Sequence, residues 1–407
     1  MRVARAVQAG RGQGSLQLYD PNSIFRRKLA SNATLATDQT PALKLANQCN
    51  YGNSSYSYNN TTAPLFYGYS GLGYGGHNVN FQNTLNFSGG TIALYIVDSF
   101  VSTQTVTLVQ SDGVTPRPAG ANNNLQAGFN AVPVPDVTKI PQGQIWPAGS
   151  DKAVTIWRPT TNELWELWEM SGSPSAYVFQ YGGYTNAASS FNGIWGNGWG
   201  TSASGLGNNG GVISIQDVID VLHGLPIRHA LKIDLQVIAN SRVAPAVRND
   251  TNANTSATTI PQFEADGTTA NPAYSGFPDA VPEGTWLRFP TNFNPSSAMP
   301  SAGPLALAIA AAIRDYGIYV SDGSGNCNLK MEDPRVLGSP YSYAKINPFT
   351  GSTGPAAGYF DSYINNNVAS TWTDATLAKI TEPFSGSGNL LVQIPWQQLQ
   401  VLEPFSS

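Results

Sequence analysis

Glu163, Glu166 and Glu169 recur at every third position of residues 149–170, GSDKAVTIWRPTTNELWELWEM, interleaved with Trp157, Trp165 and Trp168. Carboxylates beside indole rings suit sugar recognition, because ring faces stack on pyranose C–H groups and carboxylates accept from hydroxyls. They also raise the question of glycoside hydrolysis, which needs two carboxylates about 5–5.5 Å or 6.5–9.5 Å apart. On one strand face Glu163 and Glu169 would stand roughly 20 Å apart, so they are not that pair. Glu166 would need a partner from another strand, such as Asp234 or Glu283. A polysaccharide lyase would instead need a base and a neutraliser, for which His229 with Tyr181 or Tyr184 and Arg228 is the best set. The competing reading is structural: a buried His beside a sheet, and hairpin tryptophans in the core, since Trp is highly buried on average.

Those residues need strands to hold them. AVTIW, the turn RPTTN and ELWELWEM read as a β-hairpin, with Pro159 and Asn162 as turn residues. Alternation puts Glu163, Trp165, Leu167 and Glu169 on one face and Leu164, Glu166, Trp168 and Met170 on the other. RHALKIDLQVI is a second alternating strand, with His229, Leu231, Ile233, Leu235 and Val237 on one face and Lys232, Asp234 and Gln236 on the other. Two helices interrupt the β pattern. Ser214 N-caps IQDVIDVLH, with Asp217 three residues on and Gly224 as its stop. PLALAIAAAIRDYG runs from Pro304 to Gly317, with Leu305, Ile309, Ala312 and Tyr316 as its apolar stripe.

The chain has 407 residues, 41% hydrophobic but only 11% charged, against roughly 25% charged in typical soluble domains. Gly, Pro, Asn, Ser, Thr and Tyr fill the difference, the composition of a turn-rich, extracellular-type β protein. The net charge of −4 gives no case for nucleic-acid binding. No apolar run is long enough to span a bilayer. No secretory signal is read in MRVARAVQAGRGQGSLQL, so a virion protein, released by lysis and acting outside cells, is the expectation. Cys49 and Cys327 are expected as two free thiols, with a pairing as the alternative. No cofactor is expected, and no metal: HExxH, CxxC and the EF-hand loop are missing, and Asp322, Gly323, Ser324 and Asn326 read as a turn before a calcium site.

Four segments follow. Residues 1–48 form a basic arm expected to dock on another subunit; 49–90 are a Tyr/Asn/Gly tract; 91–337 are the β-sandwich domain; 338–407 are a C-terminal extension whose apolar tail could join the sandwich or a neighbour. The best candidates for ligand contact are Trp195 and Trp199, set among glycines in FNGIWGNGWG, followed by Tyr67, Tyr69 and Tyr74 in the tract.

The motif order VPVPDVTKIPQG, the Trp/Glu hairpin, GGVISIQDVIDVLHGLPIRHALKIDL, VPEGTWLRF and ALAIAAAIRDYGIYVSDGSG resembles a group of secreted actinobacterial β-sandwich proteins of unassigned function. The same domain occurs in tail proteins of phages infecting those bacteria. The resemblance covers about half the chain and implies a jelly-roll-like sandwich, a fold more firmly than a function. It points to a mainly β minor tail protein, contributing to the tail tip or host-surface recognition by glycan binding. Its expected partners are other tail subunits through the arm and tail, a second copy of itself and a host-envelope glycan, with no nucleic acid and no membrane span. The alternative is a carbohydrate-active enzyme, lyase or glycoside hydrolase, with Glu166 and His229 central.

Overall fold

The computed structural model describes residues 18–50, 91–135 apart from 98, 151–249 apart from 197, 215–216, 218–219, 222–223 and 236–237, 280–332 apart from 325–326, and 394–404, with two short strands at 344–346 and 353–357. The chain is mainly β with few short helices. Helix α1 (Thr40–Asn50) precedes β1 (Thr91–Ile96) and β2 (Thr107–Leu108). The hairpin is β3 (Val154–Arg158) and β4 (Glu163–Trp168), followed by β5 (Val178–Phe179) and β6 (Tyr181–Thr185). Then come β7 (Leu231–Leu235), β8 (Ile238–Arg242), β9 (Val281–Glu283) and β10 (Trp286–Arg288). The short α2 (Pro295–Ala298) and α3 (Pro304–Asp315) lead into β11 (Ile318–Gly323), β12 (Asn328–Leu329) and β13 (Met331–Glu332). The pair β14 (Ala344–Ile346) and β15 (Thr353–Ala357), then β16 (Gln400–Val401), close the order.

Two five-stranded sheets carry the body, ordered β13-β1-β3-β4-β6 and β12-β7-β11-β10-β16. Both are mixed: β1 runs parallel to β3 and β13, and β7 parallel to β11. A jelly roll is built of antiparallel strands, so these parallel pairs depart from that topology. The hairpin forms as its sequence indicates, with Trp165 opposite Ile156 and Asn162 in the left-handed region (φ 60) at the turn.

Three apolar layers alternate with the sheets. Tyr95, Ile156, Trp165 and Leu167 fill the outer face of the first sheet. Leu94, Leu164, Trp195, Trp286 and Tyr319 lie in the layer that links the two sheets. Leu231, Ile233, Leu287, Ile318 and Val320 back onto α3 through Leu305, Ile309 and Ile313. The α3 stop is as the sequence indicates: Gly317 sits at φ 90 and its N–H reaches the carbonyls of Ala312 and Ile313. Cys49 and Cys327 are free, buried thiols within this last layer.

Three sequence expectations change. Glu169 is itself left-handed (φ 53), which breaks the alternation of the second hairpin strand and returns Met170 to the layer of Trp165 and Leu167. Lys232 and Asp234 are as buried as Leu231 and Ile233, because the second sheet is covered on both faces. Residues 18–48 of the basic arm belong to the body: Leu18, Tyr19, Ile24 and Phe25 are fully buried in the inter-sheet layer. Ala230 N–H bonds to the Phe25 carbonyl at 2.7 Å, and Leu29 N–H to Asp315 at 2.8 Å. The C-terminal tail adds β16 to the second sheet beside β10. No helix among the described residues is long and apolar enough to cross a membrane.

Candidate functional site

The inter-sheet face gathers the polar groups. Register places Leu94, Thr155, Glu166 and Gly183 in one row across the first sheet, and Trp286, Tyr319 and Lys232 in one row across the second. Between them runs the glycine-rich segment 193–211. Gly183 lets the Trp195 ring lie on the strand, since a Cβ there would meet the ring at 2.8 Å. Gly210 does the same for Phe25, at 2.0 Å. Arg248 staples the segment from outside, donating to the carbonyls of Ala203, Gly198, Gly200 and Ser202 and lying 4.7 Å over the Tyr181 ring.

Glu166 is fully buried. Its Oε2 accepts from Trp195 Nε1 at 2.8 Å and from Thr201 Oγ1 at 3.4 Å, and its Oε1 accepts from the Asn208 N–H at 2.6 Å. Lys232 is equally buried, and its Nζ donates to the carbonyls of Gly207 at 2.8 Å and Asn208 at 2.9 Å. Desolvation pushes Glu166 up to about 7, against the pull of the Asn208 N–H, the Lys232 charge and the Trp195 donor. Desolvation and the Lys330 charge bring Lys232 down to about 8, partly offset by Asp234, Glu166 and Asp322. Asp234 accepts from Lys330 Nζ at 2.5 Å and from Ser321 Oγ at 2.7 Å. The Tyr19 hydroxyl, raised well above its ordinary value by burial and the Glu166 charge, completes this wall.

His229 lies apart from that row's bonds and is also fully buried. Its Nε2 is 3.1 Å from Asp217 Oδ2 and its Nδ1 2.8 Å from the Ala230 carbonyl. Asp217 belongs to the cap that the sequence indicates: Ser214 N–H and Oγ both donate to Oδ2, and the Asp217 N–H donates to Ser214 Oγ at 3.1 Å. Both ring neighbours are acceptors, so the arrangement suits an imidazolium. Burial alone would lower His229, but the Asp217 charge and the two hydrogen bonds outweigh it and raise the net value. A raised histidine stabilises below its unfolded value and loses that contribution as pH climbs through the folded one. Urea midpoints of the native chain are therefore expected to fall as pH rises above about 6.5, by an amount that His229→Gln removes. Parallel pH profiles for the two proteins would show that folding does not raise the His229 value.

Trp195 is not displayed for a ligand: it is 3% exposed and tied to Glu166. The glycines around it make room for its ring instead of presenting it. Trp199 is half-buried, its Nε1 donating to the Asn122 carbonyl at 2.8 Å. Tyr67, Tyr69 and Tyr74 lie outside the described residues. Of the lyase set, Tyr184 donates to Glu163 at 3.1 Å and the Tyr181 hydroxyl donates to the Gly198 carbonyl, so neither is bonded to His229. Glu163 is held on the hairpin rim by Arg158 and Thr161, and Glu169 pairs with Lys152 at 3.0 Å. Asp322 accepts from the N–H groups of Ala203 and Gly323, and Asn326 is outside the described residues. Sequence reasoning missed Lys232, Asn208 and Tyr19 as a set; the alternation of LKIDL with two charges on one face was the available signal. The chain matches no protein-family profile, no curated protein sequence and no solved structure.

Proposed function

We propose that this chain is a virion structural protein, a minor tail component that contributes to the tail tip or to host-surface recognition, with an envelope glycan as its ligand. The observation that carries this reading is the fate of the charged groups between the sheets. Glu166, Lys232, Asp234, Lys330 and His229 are buried and bonded to the protein itself. Such a body is a scaffold. The low charge of the whole chain and its amide- and hydroxyl-rich composition agree with a part that works outside cells. The enzyme alternative loses its two central residues, because a glycan reaches neither Glu166 nor His229 without opening the core.

With Trp195 inside, recognition falls to the Tyr/Asn/Gly tract of residues 49–90, whose first two residues end α1 and whose remainder precedes β1. Tyrosine offers rigid, amphipathic contact area at low entropic cost. A chain carrying Tyr67→Ala, Tyr69→Ala and Tyr74→Ala is expected to bind isolated actinobacterial envelopes at least about tenfold more weakly, since truncating a contact tyrosine commonly costs over 1 kcal/mol. Its urea midpoint should stay that of the parent. Unchanged retention on envelopes would remove these tyrosines as the contact, and sugar release by the parent would revive the enzyme reading.

A further inference from the structure

We propose that Lys232 and Asn208 become joined by an intramolecular isopeptide bond, with Glu166 carrying the protons. Three observations converge on Asn208. Its backbone carbonyl accepts from Lys232 Nζ at 2.9 Å, and its backbone N–H donates to Glu166 Oε1 at 2.6 Å, so the main chain of one residue touches both the amine and the acid and holds its side chain beside them. Its side-chain Nδ2 is buried without a hydrogen-bond partner, and so is that of Asn209. A buried, unbonded carboxamide donor is costly to keep. Expelling that nitrogen removes the cost.

The surroundings favour the chemistry. Lys232 and Glu166 are sealed from solvent and Asn208 nearly so, at 5% exposure, which keeps out the water that would compete as nucleophile. Burial lowers the lysine towards the neutral amine and raises the glutamate towards the protonated acid, the states needed for attack and for proton delivery. The unprotonated Nζ adds to Cγ of Asn208, forming a C–N bond. Protonated Glu166 gives its proton to the departing amide nitrogen and takes one back from Nζ. The Cγ–Nδ2 bond breaks, and ammonia leaves. Amine plus carboxamide thus become a secondary amide plus ammonia, with no oxidant, reductant or metal. The product links β7 of the second sheet to the segment hydrogen-bonded to Glu166 of the first.

Intact mass measurement of the purified full-length chain, denatured, tests this directly. The expected mass is the sequence mass less one ammonia. Trypsin should then fail to cut after Lys232 and should yield one branched peptide joining Lys232 to Asn208. Lys232→Ala and Glu166→Ala should each restore the full mass for their sequence, and this readout holds even if they fold poorly. The full sequence mass for the parent would overturn the proposal. Loss of ammonia with normal cleavage after Lys232 would place it in a succinimide at Asn209-Gly210 and would overturn it equally. A branch on Asn209 would overturn the assignment to Asn208.

Discussion

Glu166→Ala is expected to destabilise the folded chain by about 3–5 kcal/mol, because several buried donors lose their acceptor at about 1–3 kcal/mol each. The substitution deletes the acceptor of the Trp195, Asn208 and Thr201 donors together, and leaves Lys232 facing Lys330 with less negative charge to offset it. Each donor orphaned in the core adds its own desolvation penalty. Against a typical total stability of about 5–15 kcal/mol, that is a large fraction. Urea titration at neutral pH reads it as a lower midpoint with an unchanged slope. Glu163→Ala is the control: its carboxylate sits at the rim, 16% exposed, beside Arg158, and its loss should cost about 1 kcal/mol or less. Equal shifts for the two variants would show that the inter-sheet carboxylate bears no special weight.

Trp195→Ala is expected to cost a similar amount, about 3–5 kcal/mol, the usual range for truncating a buried aromatic. The indole ring lies 4.4 Å from the Phe191 ring, against the backbone of Gly183 and Gly200, and holds Glu166 Oε2. Its removal opens a cavity where segment 193–211 joins the two sheets. The outcome separates two ideas about this residue. A surface ligand contact would lose envelope binding and keep its urea midpoint. A core residue loses the midpoint, and any fall in binding follows from unfolding. Trp199→Ala should be milder, because that ring is only partly covered. A midpoint unchanged in Trp195→Ala would return the ring to the surface.

Local pattern was legible wherever one stretch of chain decides its own form. The hairpin follows from strand formers around a Pro/Asn turn. The Ser214–Asp217 cap and the Pro304 start and Gly317 stop of α3 follow from backbone donors and acceptors that only those side chains and conformations satisfy. The tail strand is equally local in its apolar run. Alternation failed at Glu169, because a single left-handed residue shifts the phase and no rule of composition marks it.

The sequence by itself determined a mainly β chain, with few charges, placed strands and the Pro304 start and Gly317 stop of α3, because hydrophobic period and turn chemistry act over a few residues. Only the tertiary structure decided what the charges do. Glu166, Asn208, Lys232 and Tyr19 come from two sheets, a glycine-rich loop and a segment read as a docking arm, and nothing in their spacing brings them together. Burial of Trp195 and of Leu18, Tyr19, Ile24 and Phe25 was likewise a tertiary decision. Glycine near an aromatic residue permits either exposure or close packing of the ring on backbone, and which one occurs depends on whether another sheet covers it.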